Sequence, residues 1–405
     1  MISSAAYDAT AKPAPLETRQ RVLQTSAYFA AFVGLGLTTG ALGPTLSGLA
    51  EQTGSRLDEI SFLFMARSLG YLFGSFGGGR LFDKAPGNRV MAGALVVMAA
   101  MMALIPSVLV VWLLTVVAVM LGAAEGALDV GGNTLLVWAH GERVGPFMNG
   151  LHFFFGVGAS LSPIIVGQAR SLTNNNSLAY RALALLLLPA AIWLLRLPSP
   201  QSRSVSKHRP ASQTDLRLVA LVALFFFLYL GAEIGFGGWI FTYAVKLNLS
   251  SERGADYLTS AFWGSLTLGR LLAIPIAVKL RPRIILLADL ALCIASITMI
   301  LLLPDSVAAL WSGTFGIGLA MASIFPTTFS FAERRMNITG KVTGWFLVGA
   351  SAGAMLVPWL IGQLFESIGP RVMMLTILID LALAAGIFAI LARHSNRPAG
   401  YANQS

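Results

Sequence analysis

Glu125 and Asp129 stand four residues apart inside a long apolar run, with Asn133 one further helical turn along. On a helix that spacing places all three on one face. A charge at the centre of a membrane helix costs about 2.5–3.5 kcal/mol on insertion scales, so such residues face a bundle interior or a watery cavity and find a partner. At a rise of about 1.5 Å per residue, Glu125 lies about 22 Å and Asp129 about 16 Å from the helix end marked by His140. Arg67 lies about 20 Å from Arg80, and Glu233 about 24 Å from Arg217. Three acids therefore meet one arginine at one depth. The spacing predicts an Arg67–Glu125 or Arg67–Asp129 pair and leaves at least one carboxylate for other chemistry. It can hold a proton, because desolvation disfavours the charged form. It can help coordinate Na⁺ with Asp129, Asn133 or Thr134, or accept hydrogen bonds from a sugar's hydroxyls. Glu125, Asp129, Arg67 and Glu233 are the candidates for ion coupling.

Further polar and aromatic residues supply candidates for substrate binding beside Glu125, Asn133 and Glu233. Asn149 and His152 share a helix face, and Gln168 and Gln363 occupy corresponding places in two halves of the chain. Trp239 and Trp345 offer flat amphipathic rings of the kind that cover the apolar face of a pyranose. Asp289 and Asp380 also lie in apolar runs, without an assigned role. A serine hydrolase built on Ser160 or Ser162 with His152 would be the enzymatic alternative, but no Gly-x-Ser-x-Gly elbow accompanies them. No nucleotide-binding loop is present either.

The elements that must position these residues are membrane helices. Hydrophobic residues make up 56% of the 405-residue chain and charged residues 11%, against about 25% charged in soluble domains. Twelve apolar runs are recognisable, near the 20 residues that a bilayer core of about 30 Å requires. The polar stretch 198–213, basic and rich in Ser and Pro, divides them six and six. The expected organisation is a tail over 1–22, a six-helix bundle over 23–197, the linker 198–213, a second bundle over 214–393 and a tail over 394–405. FGSFGGGRLF (73–82) aligns with WGSLTLGRLL (263–272), and GVGASLSPIIVGQ (156–168) with SAGAMLVPWLIGQ (351–363). The fold class is thus an all-α membrane protein of twelve transmembrane helices in two pseudo-symmetric six-helix bundles. Parallel duplication of this kind is characteristic of alternating-access transporters, whose substrate site lies between the halves.

The formal net charge of +10 follows topology rather than nucleic-acid binding. With both termini cytoplasmic, most Lys and Arg fall on the inner side, as the positive-inside rule requires. Residues 1–22 are polar, and no removable signal peptide is expected. Cys293 is the single cysteine, so neither disulfides within the chain nor a cysteine-based metal site is expected.

Gly79-Arg80-Leu81-Phe82-Asp83-Lys84, followed by Arg89, resembles the cytoplasmic signature of the major facilitator superfamily. The resemblance implies a gate in which Gly79, Arg80, Asp83, Lys84 and Arg89 latch the cytoplasmic side. Residues 122–140, 150–163 and 229–245 are similar to the branch holding the sodium-dependent glucose transporters and, more distantly, the fucose–proton symporters. Glu125 and Asn133 match the acid and Asn at that branch's sugar site. No acid in the first span corresponds to the one the fucose symporters carry there. These features imply a monomeric, non-enzymatic secondary transporter in the lipid bilayer, in a bacterial inner membrane. Its cargo is a small polar solute, a hexose first, coupled to Na⁺ or H⁺ and requiring no cofactor or bound metal. Proton-coupled export of drugs or metabolites is the alternative.

Overall fold

The computed structural model describes residues 18–82, 84–200, 215–336 and 338–394. Its helices are α1 (Thr18–Thr53), α2 (Leu57–Ile60), α3 (Phe62–Phe82), α4 (Gly87–Leu104), α5 (Val111–His140), α6 (Gly145–Thr173), α7 (Ser177–Arg196), α8 (Leu216–Lys246), α9 (Glu252–Lys279), α10 (Pro282–Leu302), α11 (Val307–Glu333), α12 (Gly340–Ile368) and α13 (Val372–His394). Eleven of them are long and apolar enough to cross a membrane by length and composition. The twelfth, α3, is a 21-residue helix that carries Arg67 and Arg80 among glycines and serines and packs along α5. α2 is a four-residue turn leading into it.

Backbone satisfaction shapes the ends. With no water in hydrocarbon, a spanning helix must satisfy its own amides internally, and the chain supplies side-chain caps where helices emerge. Asp215 accepts from the amides of Arg217 and Leu218, and Ser251, Ser306 and Thr339 each accept an amide at the starts of α9, α11 and α12. α1 is already helical at Thr18, the first described residue, so the last residues of the expected tail over 1–22 are helical.

The two halves stop their helices in the same places. Gly54 after α1 and Asn248 after α8 both have positive φ, 62° and 55°, and so do Asn174 after α6 and Gly369 after α12, at 56° and 107°. Left-handed residues of this kind terminate helices, and Gly and Asn adopt them most readily. Packing repeats too. α1–α6 corresponds to α8–α12, α3–α5 to α9–α11, and α4–α7 to α10–α13. The bundles meet through α6–α9, α12–α3 and α1–α8.

Where α1 crosses α8 the backbones touch. A Cβ on Gly43 would lie 2.7 Å from the Gly237 carbonyl oxygen, and small residues are what permit such approach where lipid provides no hydrophobic drive.

Candidate functional site

α3 and α5 bring the first charges together. Gly70 and Gly74 on α3 and Gly122 and Gly126 on α5 face the opposing backbone. A Cβ at Gly74 would come within 1.9 Å of the Ala123 carbonyl oxygen, and one at Gly126 within 2.1 Å of that of Tyr71. This close seam puts Arg67 opposite Glu125 and Tyr71 opposite Asp129, one turn apart on each helix. Arg67 donates twice, Nε to Oε2 at 2.7 Å and Nη2 to Oε1 at 2.6 Å. The pair expected from depth therefore forms with Glu125, in the two-point geometry for which guanidinium is suited. Thr39 Oγ1 of α1 lies 3.4 Å from Nη2, and a cavity of about 30 Å³ lined by Thr38, Leu63, Arg67 and Tyr180 opens beside it, room for a water molecule.

Glu125 is 2% exposed and both its oxygens are taken by Arg67. Asp129 is half-buried. It accepts from the Tyr71 hydroxyl at 2.5 Å and from Asn133 Nδ2 at 3.1 Å. No cation lies within 4.0 Å of it among the described residues. The accessible carboxylate of the two is Asp129, while Glu125 is buried behind its pair with Arg67.

In the second bundle, Glu233 of α8 is 6% exposed and hydrogen-bonded to the hydroxyl of Tyr229, which also lies 3.0 Å from the carbonyl oxygen of Met321 on α11. Asp289 is bonded to Ser323, whereas the buried Asp380 packs against Gly231 and has an oxygen without a partner among the described residues.

The ends of the helices opposite the chain termini are tied across the bundles. Arg170 of α6 reaches Glu252 at 3.3 Å and Asp256 at 3.5 Å on α9, donates to the Pro44 carbonyl at 2.7 Å, and covers the Phe241 ring at 4.8 Å. On the repeat-related side Arg56 meets Glu366 at 2.9 Å. Asp58 and Glu366 together hold the exposed Arg56 guanidinium above its ordinary range.

This geometry relocates several expected binding residues. Gln363 donates to the Asp58 carbonyl and Ser61, and the exposed Gln168 to Tyr257, so both lie at the far end with their amides engaged across the bundles. Trp239 is fully buried, with its indole N–H on the Pro358 carbonyl and its ring stacked on Phe365. No ring face is free for a pyranose in this conformation. Trp345 is 53% exposed and Asn149 is exposed, and neither joins the acids through a hydrogen bond among the described residues. His152 is half-buried, edge-on to Phe32, with its carbonyl 3.5 Å from Arg270 Nη1. Ser160 and Ser162 donate to the Val157 and Leu37 carbonyls, not to His152. Of the gate residues, Arg80, Lys84 and Arg89 are exposed at the other end and Gly79 is half-buried. Asp83 lies outside the described residues, as do 201–213 of the linker and residue 214. Asn88 within that loop is a buried junction. It accepts from Tyr28 at 2.8 Å and donates to the Leu197 and Pro198 carbonyls.

Sequence reasoning missed Tyr71, Tyr229 and Asp256. The signal was available for the tyrosines, each four residues from Arg67 or Glu233 and hence on its face.

Two pseudo-symmetric bundles of membrane-length helices with buried charges inside them form the architecture of a multi-pass membrane transporter. The Major Facilitator Superfamily pattern matches residues 27–358, and the chain belongs to that family, whose members move small solutes and are not enzymes. It is similar to the "Sodium-dependent glucose transporter 1" of Danio rerio, 32% identical over 398 residues covering 88% of this chain and 67% of the relative. It is also 30% identical to the Homo sapiens protein of that name, over 91% of this chain and 79% of the other. Among solved structures, the nucleoside transporter NupG superposes with a TM-score of 0.75 at 16% identity, over 91% of this chain and 99% of that one.

Proposed function

We propose that the chain is a secondary active transporter of a small polar solute, a hexose-type sugar, driven by a Na⁺ or H⁺ gradient. The observation that carries this reading is the Asp129–Tyr71–Asn133 group. It is a half-buried carboxylate with no cation within 4.0 Å among the described residues, flanked by two side chains able to orient hydroxyls and held one turn from the Arg67–Glu125 pair. A carboxylate accepts hydrogen bonds only, and its bonds to neutral donors are among the stronger ones, which suits a solute rich in O–H groups. The relatives' printed names point to the same chemistry.

In this reading Arg170, Arg56 and Gln363 keep the far end closed in the conformation described, and transport requires those contacts to part as the bundles rock. The excess of basic residues in the loops at the end carrying the termini supports a cytoplasmic location for them, and in this reading the chain acts as a monomer in a bacterial inner membrane with no cofactor besides its coupling ion. Proton-coupled export of larger apolar cations is the competing function, and one assay separates the two. In liposomes, labelled glucose is expected to accumulate when a Na⁺ or proton gradient is imposed, and Asp129→Asn is expected to abolish that accumulation. Absence of glucose movement under either gradient, with extrusion of apolar cations instead, would favour export.

A further inference from the structure

Glu233 is a buried acid that the sugar reading leaves unused, and its surroundings suit a protonated group. Tyr229 is 1% exposed and its hydroxyl faces two acceptors, a Glu233 carboxyl oxygen and the Met321 carbonyl on α11. A phenol has a single proton to donate. With Glu233 ionised, the phenol proton is committed to the carboxylate, and a buried charge is held with that neutral donor and no cation within 4.0 Å among the described residues, a costly arrangement. With a proton on Glu233 the chain is complete: the carboxyl O–H donates to the Tyr229 oxygen, and the Tyr229 O–H donates to the Met321 carbonyl.

The charge environment agrees. Glu125 has Arg67 in contact, whereas no cation lies within 4.0 Å of Glu233 among the described residues. The groups facing it come from several helices. Arg270 on α9 is the cation whose field reaches it, Cys293 on α10 lies within its field, and beyond that thiol is Asp289, bonded to Ser323. On α13, Asp380 lies against Gly231, two residues away on another face of α8. α1 and α12 carry their charged residues only near their ends.

We propose that Glu233 is the coupling-proton site: a neutral carboxylic acid in the Glu233–Tyr229–Met321 chain that loses its proton to water on one side of the membrane and regains one from the other. On release the carboxyl O–H bond breaks, water takes the proton, and the carboxylate turns from Tyr229 toward Arg270. The position suits coupling. One turn beyond Glu233, α8 crosses α1 at Gly237 against Gly43, and Trp239 ties α8 to α12 through the Pro358 carbonyl. Changing the Glu233–Tyr229 bond, and with it the Tyr229 contact to Met321 on α11, therefore acts on the helix that carries the contact between bundles. The inference rests on the transport reading and commits its coupling ion to H⁺.

Infrared spectroscopy of the purified full chain at neutral pH tests it without a substrate. The native-minus-Glu233→Gln difference is expected to contain the carbonyl stretch of a protonated carboxylic acid, and Tyr229→Phe is expected to shift that band. A difference spectrum without the band overturns the proposal. In proteoliposomes free of Na⁺, a proton gradient is expected to drive glucose accumulation by native protein, with Glu233→Gln falling to the level seen without a gradient. Accumulation driven by Na⁺ at equal pH and indifferent to a pH gradient also overturns the proposal, while leaving the transport reading intact. The infrared band present with no glucose movement of any kind supports the proton site and overturns the hexose reading.

Discussion

Arg67 and Glu125 form a two-point ion pair inside the first bundle, with side chains 14% and 3% exposed, while Asp129 one turn away holds no cation among the described residues. The two carboxylates share a helix face and have different partners because α3 presents an arginine at one level and a tyrosine at the next.

Breaking the pair on one side leaves an uncompensated charge in the bundle. Arg67→Leu is expected to cost about 3–5 kcal/mol, and Arg67→Leu combined with Glu125→Leu to recover most of that loss. Thermal unfolding in detergent micelles, run as a double-mutant cycle, measures both values. Equal and additive losses would mean the pair is not coupled.

Tyr71→Phe removes one of the two side-chain donors to Asp129 and leaves the backbone seam in place. A hydrogen bond to a charged group contributes about 1.5–3 kcal/mol, so solute affinity is expected to fall about tenfold or more. Titration of binding to the folded variant measures this.

The α3–α5 seam tolerates no side chain where backbones touch. Gly74→Leu, whose Cβ alone would lie 1.9 Å from the Ala123 carbonyl oxygen, is expected to abolish recovery of folded protein. Gly79→Ala, with nothing within 4 Å of its Cβ, is expected to melt at or slightly above the native temperature, since alanine exceeds glycine in helix propensity by about 1 kcal/mol. Chromatographic yield and melting temperature read the contrast.

The far-end closure is open to chemical capture. Ser47 Oγ and Thr242 Oγ1 sit 3.4 Å apart across the α1–α8 crossing. In a Cys293→Ser background, Ser47→Cys with Thr242→Cys is expected to form a disulfide under mild oxidation. Arg170→Ala removes the group that holds Pro44, Glu252 and Asp256, and is expected to slow that cross-linking several-fold by releasing the far end.

Much of this was legible from the order of residues. Hydrophobic runs and the six-and-six division foretell the two bundles, because each spanning helix must be apolar over a fixed length. Depth counted along helices brought Arg67 level with Glu125 before any fold was known. Rotation about the helix axis was less accessible. Nothing local says that Tyr71 rather than a second arginine would face Asp129, or that Trp239 would turn inward to the Pro358 carbonyl. Conformation was not legible at all. Gln168 and Gln363 are polar, mid-chain and repeat-related, as cavity residues would be, yet they lie in the seam that happens to be closed in this state. Asp256, four residues into α9, looks like an ordinary helix-start acid until Arg170 arrives from the other bundle.

Counterflow of labelled glucose tests the central claim most directly, because it requires a moving carrier and no ion gradient. Liposomes containing the native protein and loaded with unlabelled glucose are expected to take up label transiently above its equilibrium level, with Asp129→Asn reduced to the rate of protein-free liposomes. Native protein indistinguishable from protein-free liposomes would contradict the account.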